Sequence, residues 1–326
     1  MTSTIPAELP LDRTTRDRLA EGERRIEGSI VRKTKKRLTS RGATAAALII
    51  AVLWTIPTFG LFISSVRPGV LVQTTGWWTI FQNWGFTFQN YTDVLKSGNS
   101  QLDLAGSFIN SLAITVPATA FPLVIAALAA YAFAWIDFKG KNWIFIGVFA
   151  LQIVPLQMAL VPLLSLFSRG LRIGNVNVFS SLGSTDGSYA QVWIAHTIFA
   201  LPLAIFLLHN FISEIPGEVI EAAKVDGAGH GQIFFRIVLP LTMPAIASFA
   251  IFQFLWVWND LLVALIFASG EAAPMTKLLA EITGSRGQDW NLLTAGAFIS
   301  ILVPLIVFFA LQRFFVRGLL AGSTKG

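Results

Sequence analysis

The chain contains no cysteine. Disulfide frameworks, thiolate metal sites and cysteine nucleophiles are excluded, and the redox compartment leaves no mark on the sequence. Charge is scarce as well: Asp, Glu, Lys and Arg make up 13% of the 326 residues, against 54% hydrophobic. Soluble globular domains carry about 25% charged residues, and the mean hydropathy here is +0.65, so the chain reads as an integral membrane protein. Its three histidines, His196, His209 and His230, form no metal motif. His196 and His209 fall on roughly opposite faces of one helix. There is no GxSxG elbow and no carboxylate pair within one apolar segment for acid–base work. The terminal GLLAGSTKG lacks the GxxxxGK[ST] spacing of a P-loop, so the chain is not expected to hydrolyse ATP itself. No catalytic residue, metal or cofactor is expected.

What the chain has instead is long apolar runs. A bilayer core of about 30 Å needs roughly 20 helical residues. Six runs meet that length, approximately 43–66, 108–135, 143–167, 190–211, 243–267 and 292–312. The expected fold is all-α, a polytopic bundle of six transmembrane helices in the cell membrane. Prolines recur inside the runs, at Pro57, Pro117, Pro122, Pro155, Pro162, Pro202 and Pro304. Each removes a backbone hydrogen bond and permits a kink.

The polar segments set the orientation. Residues 1–42 hold eleven Lys or Arg and six Asp or Glu, and the block Arg32, Lys33, Lys35, Lys36, Arg37 and Arg41 abuts the first apolar run. That run is too long for a signal-peptide core, so an uncleaved first helix is expected. The basic block reads as a juxtamembrane anchor against anionic lipid rather than a nucleic-acid site. With the N-terminus inside, the cytoplasmic segments hold 18 of the 24 Lys and Arg. The positive-inside rule therefore favours both termini in the cytoplasm. The long outer connection 67–107 is rich in aromatic and amide residues, with Trp77, Trp78, Trp84 and Tyr91 suited to an interfacial belt over the membrane face. Segments 168–189 and 269–291 are the other outer loops.

One polar stretch interrupts the apolar second half: EAAKVDGAGHGQIFFRIVLPLTMP, Glu221 to Pro244. It is expected to open as a short helix (EVIEAAKV), break at Gly227, Gly229 and Gly231, and resume as an apolar helix running into Pro240 and Pro244. Two short helices meeting at a glycine hinge would make a compact knob. Charge counting alone puts it on the cytoplasmic side.

The spacing of this stretch, Glu-Ala-Ala, three residues, Gly, nine residues, then Ile-x-Leu-Pro, resembles the EAA loop of bacterial ABC importer permeases. Asn110-Ser111-Leu112, then AYAFA at 130–134 and FKGK at 138–141, together with WVWND and FFVRGLLAGSTKG, is similar to carbohydrate permeases of the maltose type, the MalG-like subunit. The likeness covers nearly all of 43–326. Trp135 stands where that family usually has Arg, and Lys139 and Lys141 supply cations nearby. The resemblance implies a type I importer permease, with a tail over 1–42, a six-span domain over 43–316, a coupling loop at about 213–242 and a short tail at 317–326. It implies a second, MalF-like permease, two ATP-binding subunits, an extracellular or periplasmic solute-binding protein and a sugar substrate. Glu221, Ala222, Ala223, Asp226, Gly227 and Pro240 would meet the ATPase. Segment 269–291 would reach the binding protein, and the tail around 318–326 would touch the ATPase. Permeases for peptides, amino acids or phosphate share the EAA loop but not the AYAFA and FVRGL segments. A channel or secondary transporter would make of the loop an ordinary connection.

Polar residues within the spans are the remaining candidates, because an unpaired polar group in hydrocarbon is costly. Asn110, Gln152, Gln157, Asn210 and Gln253 are candidates to line a substrate path, with interhelical hydrogen bonding as the competing role. Asp260 is the one carboxylate expected within a span, in the outer half of the fifth, with a structural or interfacial role.

Overall fold

A computed structural model describes residues 41–95, 103–182, 189–268, 270–282 and 289–323. The basic block at 32–37 and most of the N-terminal tail lie outside the described residues. The helices in chain order are α1 Arg41–Ser65, α2 Gly69–Thr74, α3 Gln89–Leu95, α4 Leu104–Trp135, α5 Lys141–Ala150, α6 Leu156–Arg169, α7 Tyr189–Ser213 and α8 Gly217–Val225. They continue with α9 His230–Trp258, α10 Leu262–Phe267, α11 Met275–Ile282 and α12 Trp290–Ser323.

Among the described residues five helices are long and apolar enough to cross a membrane: α1, α4, α7, α9 and α12. The third expected span is not one helix. Lys141–Ile153 and Leu156–Arg169 meet at a bend of 105°, where Pro155 supplies no N–H and Val154 is held extended ahead of it. The fifth span also departs from expectation. It starts at His230 and ends at Trp258, so Asp260 lies beyond it. The Asp260 carboxylate accepts the Ala264 N–H at 3.1 Å and so caps the short helix α10.

The first 61 residues and the remainder form two units. In the first, α1 exposes apolar side chains such as Ile49, Leu53 and Trp54, as expected of a helix whose solvent is lipid or another membrane helix. The second unit is built on α4 and α7. Ala126 and Ala130 on α4, and Ala200 and Ala204 on α7, are all buried. Small residues four apart let two helices approach closely, which is how membrane helices associate when lipid offers no hydrophobic drive. Polar side chains reinforce the bundle: the Trp193 indole donates to the Ala113 carbonyl at 2.9 Å and Trp258 to Ser300 at 3.1 Å.

The core falls into patches along the helix axes. One, at the α8 end, gathers Tyr131, Leu208, Ile220, Ile233, Phe234 and Val238. Two others lie toward the opposite end: one around Ile114, Phe167, Val192 and Phe267, the second around Leu104, Trp258, Met275 and Leu278. The outer loop 168–189 before α7 contains an antiparallel hairpin, β1 Leu171–Ile173 and β2 Val176–Phe179. Gly174 turns it at φ +60°, the conformation a two-residue hairpin loop demands of its first residue.

The aromatic connection after α1 is a folded cap around Arg67, which is fully buried. Its guanidinium donates to the Gly76 carbonyl at 2.9 Å and to the Thr75 hydroxyl at 3.0 Å. Asn90 closes the cap by donating to the carbonyls of Ser65 and Arg67, while its own Oδ1 accepts from Asn291. Trp78, Phe81 and Trp84 remain exposed. Asn90→Ala would strand buried carbonyls, so it should cost about 1–3 kcal/mol. Thermal unfolding of the purified protein should show a lowered midpoint, with new protease cleavage within 67–95.

Candidate functional site

The loop between α7 and α9 is built by its glycines, each in a different way. Helix α8 ends in a Schellman motif: Gly227 N–H bonds the Lys224 carbonyl and Ala228 N–H bonds the Ala223 carbonyl. Gly227 sits at φ +83°, a left-handed conformation that costs other residues strain. Gly229 has φ −74° and caps α9, its N–H bonded to the Gln232 side chain. Gly231 lies inside the helix. Only Gly227 is a true hinge among the three, which corrects the expectation of a triple break.

The second half of the loop is not a short helix either. It is the first two turns of α9, widened at Phe234–Val238 into a π-helical turn. There the Leu239 N–H reaches back to the Phe234 carbonyl, and the next residue, Pro240, has no N–H to offer. The wide turn thus absorbs the proline and lets the span run on through Pro240 and Pro244 to Trp258.

The loop has an anchored face and a free face. Ile220, Ala223, Ile233, Phe234 and Val238 are buried in the core patch at that end. His230 Nδ1 and the Tyr131 hydroxyl of α4 share a hydrogen bond at 2.9 Å, and Phe234 crosses Tyr131 edge to face at 5.4 Å. Glu221, Ala222, Lys224, Asp226, Gly227 and Pro240 are exposed, as are Val225 and Phe235. Ala222 and Ala223, read together in the sequence, therefore point opposite ways: Ala223 packs on the chain's own core and Ala222 faces out.

The polar residues of the spans separate just as cleanly. Asn110 donates to the Ala273 carbonyl at 3.0 Å and accepts from the Tyr189 hydroxyl at 2.6 Å. Gln253 is buried and donates to the Ala118 carbonyl at 3.2 Å. These two side chains tie segments together. Asn210 and Gln157 are exposed. Gln152, also exposed, stands in the break between α5 and α6 and lines a cavity of about 430 Å³ with Ile198, Phe199 and Trp256. Behind Trp256 lies His196, buried and crossing the indole at 85° and 5.8 Å; its Nε2 is 3.8 Å from Asp260 Oδ2. This group, spread over α7, α9 and the residues after it, was not legible in sequence. Among the described residues no three of His, Asp and Glu gather as a metal site.

Residues 122–320, from mid-α4 through the loop to the last helix, match the family model described as "binding-protein-dependent transport system inner membrane component". The chain belongs to that family. The permease is 54% identical over 286 residues to the osmoprotective compounds uptake permease protein GgtD of Synechocystis, covering 86% of this chain and 90% of that one. It is 51% identical to the alpha-glucoside transport system permease protein AglG of Rhizobium meliloti over 74% of this chain, and spans 61% of that longer relative. It is 32% identical to the trehalose transport system permease protein SugB of Mycobacterium tuberculosis over 85% of this chain and 93% of SugB. In fold, the permease matches a chain of a bacterial ABC transporter for import of the acidic polysaccharide alginate, with TM-score 0.59, 20% identity and coverage of 85% and 98%.

The glycine geometry gives a sharp contrast. An added Cβ meets nothing within 4 Å at either Gly227 or Gly229, so only backbone conformation separates them. Gly227→Ala should cost about 1–2 kcal/mol, and Gly229→Ala should be nearly neutral. Hydrogen exchange of amides 223–229 in the purified permease should rise for the first variant and stay unchanged for the second.

Proposed function

We propose that this permease is one of two membrane-spanning subunits of an ATP-driven, binding-protein-dependent importer of neutral sugars, and that Gly217–Val238 is the handle on which two ATP-binding subunits act. The observation that carries the reading is the two-faced loop. A handle must be grasped on one side and welded to the moving parts on the other. Here Glu221, Ala222 and Lys224 stand free, while Ile220, Ala223, Ile233 and Phe234 are rooted among α4, α7 and α9. Glu221 offers a charge for a cationic partner, Ala222 permits close approach, and Val225 and Phe235 supply apolar area. The Tyr131–His230 bond ties the loop directly to α4.

The stroke is mechanical. A push on the loop would be delivered to α4 and α9 as a rigid-body shift, because packed cores switch between arrangements rather than deform continuously. At the far end of α4, Asn110 holds Ala273 and the Ser111 hydroxyl accepts the Met275 N–H at 2.8 Å. The same helix thus holds the segment that would meet a solute-binding protein on the outer face. The charge distribution supports cytoplasmic termini, with 1–42 as a basic tail and 317–326 as a short C-terminal tail. Sugar as cargo is supported by relatives named for alpha-glucoside and trehalose transport.

Glu221→Lys reverses the exposed charge without touching the core. In the assembled importer it should reduce co-purification of the ATP-binding subunits and lower uptake by about tenfold or more, the penalty of a mismatched interfacial charge. Unchanged association and uptake would remove the docking role.

A further inference from the structure

The cavity at the α5–α6 break has no role in the coupling just described, and neither does the buried His196–Asp260 pair. Both converge on Trp256. We infer that the break holds a binding subsite for an uncharged sugar ring, with Trp256 as its platform and Gln152 as its hydrogen-bonding arm. The inference rests on the importer reading and adds a ligand position within this chain.

Four observations support it. The cavity, at about 430 Å³, falls within the roughly 300–1,000 Å³ of small-molecule sites. Its wall combines an aromatic side chain with an amide and an interrupted backbone. Irregular backbone at membrane depth is tolerated where it lines a cavity. Sugar rings present an apolar C–H face and a rim of hydroxyls. The apolar residues around Trp256 fit the face, while the Gln152 amide fits the rim.

Charge decides the class of sugar. None of the described residues lining the cavity is charged. A carboxylated sugar would be desolvated there without a cation to pair with, which is strongly unfavourable. A neutral glucoside meets no such cost.

The buried polar pair finds its purpose in this arrangement. Trp256 lines the cavity and is about 40% exposed, and the buried His196 packs against its indole at 5.8 Å. Asp260, 3.8 Å from His196 Nε2, is itself fixed at the start of α10 by the Ala264 N–H. The chain Asp260, His196, Trp256 makes His196 a positioning residue that holds the indole at the mouth of the break. An indole held by packing binds with less loss of side-chain freedom than a mobile one.

The test uses the complete importer reconstituted in proteoliposomes with its solute-binding protein saturated, and radiolabelled trehalose as probe. ATP hydrolysis is measured beside uptake. Wild-type uptake is the control for the importer reading: no ATP-dependent uptake of trehalose or of any other radiolabelled neutral glucoside refutes that reading, whatever the subsite does. Given wild-type uptake, Trp256→Ala and Gln152→Ala should each lower the trehalose transported per ATP by about tenfold, while stimulated hydrolysis persists. Trp256→Phe, which keeps an aromatic face, should restore most of the loss. His196→Gln should lie between. Gln152 is exposed, so its variant guards against a folding artefact at Trp256. Wild-type uptake per ATP in both alanine variants, whether lipid or the second permease fills the break, would overturn the subsite. So would equal loss in Trp256→Phe and Trp256→Ala.

Discussion

In hydrocarbon every backbone N–H and C=O must find a partner inside the protein, and this constraint organises the whole molecule. Helices meet it without help, which is why so much of the chain is helix and why each interruption needs a local answer. At the α8–α9 turn, which the charge pattern puts outside the hydrocarbon, the helix ends are closed by a Schellman motif and a capping glycine. At Phe234–Val238 the answer is a widened turn that makes room for Pro240. After Trp258 it is the Asp260 carboxylate on the Ala264 N–H. At the α5–α6 bend it is a tight turn, with the Val154 N–H on the Leu151 carbonyl and Pro155 offering no N–H, beside a cavity. The two places argued to carry function are two of these interruptions.

The same constraint accounts for the polar side chains. Asn110, Ser111 and Gln253 spend their hydrogen bonds on backbone groups of distant segments. They hold α4 to the segment before α11 and to α9, so α4 touches the loop at one end and that segment at the other. A helix fixed at both ends transmits displacement with little loss. That suits a subunit whose family is named for dependence on a binding protein, and which would take its energy from other chains.

Hydropathy and length made the spans legible, and glycine spacing with clustered charge made the loop legible. Both signals are local. The 105° bend was hidden because the run through Pro155 stays apolar on both sides, and an apolar run does not reveal its direction. The π-helical turn was hidden for a related reason: Pro240 and Pro244 read as helix terminators, and nothing local announces the wide turn that accommodates them. Which glycine takes positive φ depends on how α8 ends, not on the glycines themselves. The partners of Asn110, Gln253 and His196 lie 163, 135 and 64 residues away along the chain. Sequence marked the first two as polar groups needing a partner but could not tell a tie from a path. Arg67 opens the outer connection in sequence, and nothing local announces that it is the buried centre of the cap.

The central claim is that the loop and the parts of α4 and α9 packed against it move as one body. Because the chain has no native cysteine, spin labels can be placed cleanly at Lys224 on the loop and Val124 on α4, both exposed. Electron–electron distance measurement in the assembled importer, without nucleotide and trapped with ATP, tests the claim directly. The account predicts one narrow distance that is the same in both states. A distance that shifts or broadens on ATP binding would mean that the loop flexes on its own, and would contradict it.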